Sequence, residues 1–310
     1  MLLCVTPNPA IDRTVVVANL RLDDVNRAET VRVAAGGKGV NAARAARALG
    51  EPAICAGFVG GEHGALFTAL ATREGLRGHW TAISGETRSC LILLDPARGD
   101  NTVINEQGPA VTRTDWDRLI ERVLELSTSA TAVCLCGSAP PGTPLPCYAE
   151  LLARLGKTGL PVWVDAAGDQ LALAKQAGGV CLKVNRDEAR ALTGRTLAEV
   201  GDLAQAAHDM VNESATMCVI TLGGDGAVMA SASGCWHATI PPIPRVNAVG
   251  SGDSFLAAIA TAKSRGLPDA SALSWGVAAG AANAASTGGG GFTREQFDEL
   301  LSRVTLQPHT

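Results

Sequence analysis

From residue 116 onward, the sequence alternates between short apolar runs and longer stretches of helix-forming residues. Four apolar runs, at residues 132–136, 161–164, 180–184 and 218–221, each lead into a polar or glycine-rich turn. Strands that alternate with helices pair in parallel, because each helix returns the chain to the same edge of the sheet. The sequence therefore predicts an α/β fold with a doubly wound, mostly parallel sheet flanked by helices, in which functional turns follow the strand C-termini.

The first third of the chain departs from this alternation. Residues 1–6 form an apolar run that prolines terminate, so we expect Asp12 just beyond a buried strand. Two pairs of short β-prone runs, at about 13–35 and 88–106, predict a small separate sheet. Because no linker-like stretch divides the chain, we expect a single domain over residues 1–310.

Composition and charge exclude several classes of function. The net charge of -4 gives no electrostatic case for binding nucleic acid or an anionic membrane, and no apolar run is long enough to span a bilayer. The nine cysteines form neither a C-x-x-C pair nor a zinc-type spacing, so we expect buried free thiols in a reducing compartment. The first residues lead directly into a strand rather than a signal peptide, and the expected location is the cytoplasm.

The turn Gly250-Ser251-Gly252 precedes Asp253 and a long helical run. Two glycines allow successive backbone N–H groups to point at one spot, and the positive end of the following helix favours an anion there. An aspartate beside an anion hole suits a reaction in which negative charge develops while the carboxylate accepts a proton. The alternative from these residues alone is that Asp253 is only a favourable residue at a helix N-terminus.

A second glycine-rich helix start, at residues 36–50, places Lys38 and Asn41 in its first turn. A cation there opposes the helix dipole, which indicates that Lys38 serves a ligand. The spacing matches neither the dinucleotide-binding G-x-G-x-x-G motif nor the P-loop.

Three further turns permit both a ligand-binding and a purely structural interpretation. Asn185 and Glu188 could hold Mg²⁺ through water, or could form a capping box. The glycines of LGGDGA could approach a ligand or form a hairpin turn, and Ser138 could contact a ligand or be an ordinary loop serine. None of the five histidines pairs with a serine or cysteine in a triad motif, which argues against acyl transfer.

Eight stretches, taken in order, resemble the PfkB, or ribokinase-like, family of sugar kinases. They are NPAIDR, GGKGVNAARAARALG, TRSCLIL, CGSAPPG, DAAG, KVNRDEA, ITLGGDGA and NAVGSGDS. The second and the last correspond to family signatures, and the resemblance extends along nearly the whole chain. The chain has Val184 where the family often has proline, and Ser251 where it often has alanine, although Ser251 still offers its backbone N–H.

The resemblance implies roles for individual residues. It implies that Asp253 is the catalytic base and that Gly250, Ser251 and Gly252 form the anion hole. The implied substrate-binding residues are Asp12, Arg27, Gly37, Lys38, Asn41, Arg88, Ser138 and Asp253. Within that set, Arg88 and the lid residue Arg27 resemble those that hold the phosphate already on the substrate.

The resemblance also implies that ATP and Mg²⁺ bind. The implied nucleotide-binding residues are Lys183, Asn185, Thr221, Gly223, Gly224, Gly226, Gly252 and Asn283, with Asn283 beside the adenine. Glu188 is implied to hold Mg²⁺ through water. The two inserted pairs of strands resemble the family's β-lid, through which relatives dimerise, so a homodimer is expected.

Within the family, the chain most resembles kinases of phosphorylated ketohexoses, and this is the expected function. We expect fructose 1-phosphate as the acceptor, with tagatose 6-phosphate and fructose 6-phosphate as alternatives. A sugar-phosphate-binding protein without catalysis would be favoured had Asp253 or the anion-hole glycines been replaced, and they are not. The missing G-x-G-x-x-G motif argues against a nicotinamide-dependent dehydrogenase.

Overall fold

A computed structural model describes residues 1–309 of the chain. The strands are β1 (Leu2–Thr6), β2 (Ala10–Val16), β3 (Thr30–Gly36), β4 (Ala53–Gly60), β5 (Arg77–Ile83), β6 (Arg88–Asp95), β7 (Asp100–Asn105), β8 (Ala132–Cys136), β9 (Val162–Asp165), β10 (Cys181–Asn185), β11 (Met217–Thr221), β12 (Ala227–Ser231), β13 (Gly234–Thr239) and β14 (Thr305–Pro308). The helices are α1 (Lys38–Ala48), α2 (Gly61–Arg73), α3 (Arg113–Ser127), α4 (Leu145–Gly156), α5 (Gly168–Ala177), α6 (Arg186–Thr193), α7 (Val200–Glu213), α8 (Ser251–Ser264), α9 (Asp269–Ala284) and α10 (Arg294–Leu301).

The larger sheet has the strand order β14-β13-β12-β11-β10-β9-β8-β1-β4-β5. The strands from β11 to β5 in this order are parallel, whereas β12, β13 and β14 are antiparallel additions at one edge. The chain first winds from β1 toward β5 and then crosses to β8, so the winding direction reverses beside β1. This confirms the predicted doubly wound sheet, and such a reversal is where ligands bind in open α/β sheets.

Both faces of the parallel strands are buried, because successive side chains point to opposite faces. In β1, Leu2 and Cys4 pack on the face that α1 and α8 cover, whereas Leu3 and Val5 pack on the face that α3 and α4 cover. The two apolar layers hold the C-terminal ends of β1, β8, β9 and β10 in fixed positions at one edge of the sheet.

The smaller sheet has the order β3-β2-β6-β7, with β2 parallel to β6 and the other pairs antiparallel. Asp12 follows the buried strand β1, as the sequence predicts, but lies inside β2, opposite Ala34 and Cys90, so the smaller sheet begins earlier than the predicted residue 13. The β-prone run in β2 extends back to Ala10, because this segment pairs with a neighbour on each side.

The nine cysteines are all free and eight are buried, which confirms the predicted buried thiols except for the partly exposed Cys235. Within residues 1–309, no helix combines the length and the apolar character needed to cross a membrane.

Candidate active site

Helix α8 begins at a turn whose shape depends on glycine. Gly250 caps the helix with a φ of 85°, and a Cβ at this position would lie 2.6 Å from Gly289 Cα. A Cβ on Gly252 would lie 2.8 Å from Lys183 Nζ. The missing side chains therefore let a second loop and an ammonium group approach the helix start, where the first N–H groups lack intrahelical acceptors.

Ser251 contributes to this turn in a different way from the prediction. Its backbone N–H, which the sequence assigns to the anion hole, donates to Ala248 O at 3.2 Å. Its hydroxyl accepts a hydrogen bond from Asn283 Nδ2 at 3.1 Å. Ser251 therefore stabilises the turn internally, and an anion would meet the other N–H groups of the first turn of α8.

Asn283, in α9, is also placed differently from the prediction that puts it beside an adenine. Its side chain is fully buried. Its amide donates to Val249 O at 2.9 Å and accepts from Gly290 N at 2.6 Å. Asn283 therefore braces the start of α8 against the glycine loop 288–291 and has no face exposed to a ligand.

Asp253, in the first turn of α8, is 6% exposed. Its Oδ2 accepts a hydrogen bond from Asn41 Nδ2 at 2.8 Å. Burial, together with the nearby Asp165 carboxylate, raises the pKa of Asp253 from 3.8 to about 6, against the opposing charge of Lys38. Such a carboxylate is ionised at neutral pH and is a stronger base than an ordinary aspartate, as general base catalysis requires.

Asp165, at the end of β9, joins two lysines into one cluster. Its fully buried carboxylate accepts from Lys38 Nζ at 2.7 Å and from Lys183 Nζ at 2.9 Å. Burial opposes ionisation of Asp165, but the two ammonium groups outweigh it and hold its pKa below 3.8. Asp165 therefore gathers two positive charges at the edge of the sheet, close to Asp253.

The sequence assigns no role to Asp165, although it shows the stretch DAAG. The available signal was a carboxylate that directly follows the apolar residues of a buried strand. A buried charge needs an opposite charge nearby, and Lys183 occupies the equivalent place near the end of the neighbouring β10.

Asp253, Lys38 and Lys183 line a cavity of about 790 Å³ between the carboxyl edge of the larger sheet and the smaller sheet, a size typical of small-molecule sites. The predicted site residues that line it are Asp12, Gly37, Lys38, Asn41, Arg88, Ser138, Lys183, Gly250, Gly252 and Asp253. Arg27 does not line it, since it lies exposed in the loop between β2 and β3.

Arg88 and Asp12 are contributed to this cavity by the smaller sheet. Arg88 Nε and Nη2 donate to Asn8 O at 3.2 and 3.1 Å, and Nη1 donates to Glu106 O at 3.0 Å. These carbonyl contacts fix the guanidinium group without neutralising it, so it can attract an anion. Burial raises the pKa of Asp12 to about 6, against the opposing charges of Arg44 and Arg88.

Apart from Lys183 and Gly252, the predicted nucleotide residues lie beyond the cavity lining. Asn185 and Thr221 are register partners at the ends of β10 and β11. Asn185 Oδ1 accepts from Glu188 N at 2.9 Å, and Glu188 Oε2 accepts from Asn185 N at 2.8 Å. The capping-box interpretation of this pair is therefore confirmed, at the sheet edge next to Lys183.

The turn between β11 and β12 forms a hairpin, since these strands pair antiparallel. An added Cβ on Gly223 or Gly224 would meet nothing within 4 Å, so this surface is open to a ligand. Gly226 differs, because its Cβ would lie 2.0 Å from Ala238 O. The close pairing of the hairpin with β13 is what requires that glycine.

The donor set at this edge fits Mg²⁺ delivered with a nucleotide. Within residues 1–309, no three His, Cys, Asp or Glu side chains cluster closely enough to hold a metal ion by themselves. Mg²⁺ does not require such a cage, because it keeps several waters and binds through one or two carboxylates plus substrate phosphates. Glu188 offers one such carboxylate in the first turn of α6.

The cavity brings together the N-terminus of α8, the Asp253 carboxylate with its raised pKa, and the ammonium groups of Lys38 and Lys183. These are the kinds of group that a phosphoryl-transfer site uses. The family model described as pfkB family carbohydrate kinase matches residues 5–295. The chain therefore belongs to the pfkB family and is a sugar kinase. Kinases of this family use ATP, typically with Mg²⁺.

Solved structures share the ribokinase-like fold over almost the entire chain. Phosphofructokinase-2 from Escherichia coli, in complex with fructose-6-phosphate, has a TM-score of 0.90 and 26% identity, covering 97% of this chain and 98% of that chain. A possible 1-phosphofructokinase from Thermotoga maritima has a TM-score of 0.92 and 22% identity, covering 100% of both chains. Ribokinase from Arabidopsis thaliana, with ribose and ATP, has a TM-score of 0.74 and 22% identity, covering 97% and 98%.

Proposed function

We propose that this chain transfers the γ-phosphate of ATP to a phosphorylated ketohexose, with fructose 1-phosphate as the acceptor. The observation that carries the proposal is that Asp253, Lys38 and Lys183 line one cavity at the start of α8, with Asp165 holding the two lysines together from beneath. A base beside concentrated positive charge suits the removal of a hydroxyl proton while phosphoryl oxygens gain negative charge.

In the proposed reaction, Asp253 accepts the proton of the acceptor hydroxyl as that oxygen attacks the γ-phosphorus in line, while the bond from the γ-phosphorus to the bridging oxygen breaks and ADP leaves with that electron pair. The N–H groups of the first turn of α8 and the Lys183 ammonium group offset the charge on the transferred group. Glu188 would hold Mg²⁺ through water, and the ion would further neutralise the phosphates. Positioning and neutralisation account for most of the catalysis, because the transition state of phosphoryl transfer is loose.

Arg88 is the proposed partner of the phosphate already present on the acceptor. Its guanidinium group donates hydrogen bonds to backbone carbonyls, so its charge is available to an anion in the cavity. Fructose 6-phosphate is the second candidate acceptor, because the E. coli enzyme crystallised with that sugar is 26% identical to this chain. Tagatose 6-phosphate is the third. Arg27 would join Arg88 only if its exposed loop closes over the cavity.

A coupled ADP-release assay with Mg-ATP tests this function directly. The acceptors are the three phosphorylated ketohexoses, with free fructose and ribose as controls that lack the phosphate. We expect kcat/KM to be highest for fructose 1-phosphate and much lower for both free sugars. Preference for a 6-phosphate would retain the mechanism and change the acceptor. If no ADP is released with any of the three phosphorylated ketohexoses, the proposed function is refuted.

We further propose a homodimer in which a second copy covers the smaller sheet. This sheet and its β2–β3 loop carry exposed apolar side chains away from the cavity, namely Leu22, Val25, Val31 and Ile104. Clustered apolar surface of this kind is typical of interaction sites. Analytical ultracentrifugation should show a dimer that Ile104→Asp dissociates, and a monomeric wild-type protein would refute it.

The free thiols suit a reducing compartment, so we propose a cytoplasmic location, which cell fractionation checks.

A further inference from the structure

A chain of hydrogen bonds leads from Asp253 to an arginine behind the cavity. Asn41 Nδ2 donates to Asp253 Oδ2 at 2.8 Å, and Asn41 Oδ1 accepts from Arg44 Nη1 at 2.7 Å. Asn41 and Arg44 lie three residues apart on α1, so their side chains are neighbours on one face of the helix. Arg44 does not line the main cavity, and its effect on Asp253 must pass through Asn41 or through its charge.

The two ends of the Asn41 amide have different chemistry, and Arg44 determines which end faces Asp253. A guanidinium group only donates hydrogen bonds, so the atom that faces Arg44 must be the amide oxygen. The NH₂ group is then the end that faces Asp253. An NH₂ group stabilises a carboxylate that accepts, whereas the amide oxygen would favour a protonated carboxyl group that donates.

Arg44 is itself held from several directions. Its Nε donates to the Glu74 carboxylate, its Nη2 donates to Ala35 O, and its Nη1 lies 3.4 Å from Gly289 O. The Arg44 side chain is only 13% exposed. These contacts come from the residue after α2, from β3 and from the glycine loop, so the guanidinium group has a fixed position from which to orient the Asn41 amide.

We propose that Arg44 is a positioning residue that locks the Asn41 amide with its NH₂ group toward Asp253 and thereby favours the ionised carboxylate. This inference rests on the proposed function of Asp253 as the base. It makes the protonation state of the base depend on an arginine that touches no reacting atom.

Other charged groups also act on Asp253 and must be separated from this effect. Asp165 raises its pKa, whereas Lys38 and Lys183 lower it, and Asp12 is close enough for its own pKa to be raised by Asp253. The charge of Arg44 lowers the pKa of Asp12 as well. Loss of Arg44 could therefore alter the pH profile through charge alone, without any change in the amide.

The test is the pH dependence of kcat/KM, which reports the free enzyme, for wild type and Arg44→Met. Hydrogen bonds to charged groups are strong enough that we expect the acid limb to move up by about one pH unit. At pH values below the midpoint of the acid limb, kcat/KM of Arg44→Met should be about tenfold lower than that of wild type. About two pH units above the midpoint, the two values should be the same. Arg47→Met is the matched control, since Arg47 is also on α1 and donates to Glu74 O at 2.7 Å but does not contact Asn41.

The same comparison in an Asn41→Ala background separates orientation from charge. If Arg44 acts through the amide, Arg44→Met should not move the limb further when Asn41 is absent. An equal shift in both backgrounds, an unmoved limb in Arg44→Met, or the same shift in Arg47→Met would each overturn the inference.

Two precautions keep the result decisive. If Arg44→Met does not fold, Arg44→Gln provides a side chain that can either donate or accept, so it no longer fixes which end of the Asn41 amide faces Asp253, and the limb should still move up. If no sugar phosphate gives turnover, the proposed function fails separately, and the titration of the Asp253 carboxyl followed by ¹³C NMR takes the place of kinetics. A titration midpoint that is the same in wild type and the Arg44 variant would overturn the inference on its own.

Discussion

Asp165 and Asp253 are both buried carboxylates at the same edge of the sheet, yet their environments have opposite effects. Asp165 accepts from two ammonium groups, and its pKa is held below 3.8. Asp253 accepts from the neutral amide of Asn41, and burial raises its pKa to about 6. Both carboxylates are buried, so the charge of their hydrogen-bond partners distinguishes them. Asp165 stays ionised beside two ammonium groups, whereas Asp253 can exchange a proton.

This contrast assigns the roles of the two carboxylates. Neighbouring groups with pKa values driven apart are a recurring feature of sites that perform acid-base chemistry. Asp165 supplies a fixed negative charge that keeps Lys38 and Lys183 together. Asp253 receives the proton, and its pKa is raised further because Asp165 remains ionised beside it.

The largest expected effect is on the proton acceptor. Asp253→Asn keeps the size of the side chain and removes its basicity, so kcat should fall by about 10²–10⁴-fold. Binding of the sugar phosphate should survive, as measured by calorimetry with the inactive variant. Near-normal turnover would remove Asp253 from the role of base.

Asp165→Asn should act on stability as well as on rate. It leaves the ammonium group of Lys183, whose side chain is 6% exposed, without a counter-charge, and breaking a buried ion pair typically costs about 3 kcal/mol. Lys38 is 40% exposed and can regain water, so it should add little to that cost. Urea denaturation measures the change, and an unchanged free energy of unfolding would show that the two lysines do not depend on Asp165.

The pH profile of wild type should show the contrast between the two carboxylates without any substitution. Asp253 is active when ionised, so kcat/KM should fall as the pH drops through about 6. Asp12, with a pKa also near 6, should steepen this limb. Asp165 should not add to this limb, because, against the effect of burial, Lys183 and Lys38 hold its pKa below the ordinary value. An aspartate with an ordinary pKa of about 4 would leave kcat/KM nearly constant between about pH 8 and about pH 5. Such a flat profile would contradict the raised pKa of Asp253.

Gly252→Ala tests the contact between α8 and the lysine cluster. The added Cβ would lie 2.8 Å from Lys183 Nζ, so the ammonium group must move, and we expect kcat to fall about tenfold through weaker charge stabilisation. Gly201→Ala is the control, because a Cβ on that helical glycine of α7 meets nothing within 4 Å. Equal activities of the two variants would show that the close approach is not needed.

The smallest effect on the chemical step is expected at the acceptor phosphate. Arg88→Ala should raise KM for the phosphorylated sugar by about tenfold, in line with loss of a charged hydrogen bond, and should leave kcat nearly unchanged. Arg98→Ala is the control, since Arg98 lies in the turn after β6, is 57% exposed and pairs with Asp95. An unchanged KM would exclude Arg88 from the acceptor site.

The parallel sheet, the start of α8 and its carboxylate could be predicted from sequence because each depends on local patterns. Apolar runs followed by turns indicate strands, and the glycine turn before Asp253 indicates a helix N-terminus. The antiparallel edge strands β13 and β14 could not be predicted in this way. Their pairing joins Trp236 to Pro308, far along the chain, and register between distant segments leaves no local signal.

The contacts within the site were the least predictable part. Asn283 matched an adenine-binding role by resemblance, but its four hydrogen-bonding contacts all go to the protein. Ser251 was expected to offer its N–H to an anion, and the turn closes on that group instead. Asp165 gave no spacing signal, because its two lysine partners come from α1 and β10.

The most direct measurement of the central claim is the product of the reaction itself. Wild-type protein is incubated with Mg-ATP and fructose 1-phosphate, and ³¹P NMR follows ATP, ADP, inorganic phosphate and phosphate esters. We expect a second sugar phosphate ester to appear in the same amount as ADP. ATP that stays intact with fructose 1-phosphate, fructose 6-phosphate and tagatose 6-phosphate, or ADP accompanied only by inorganic phosphate, would contradict it.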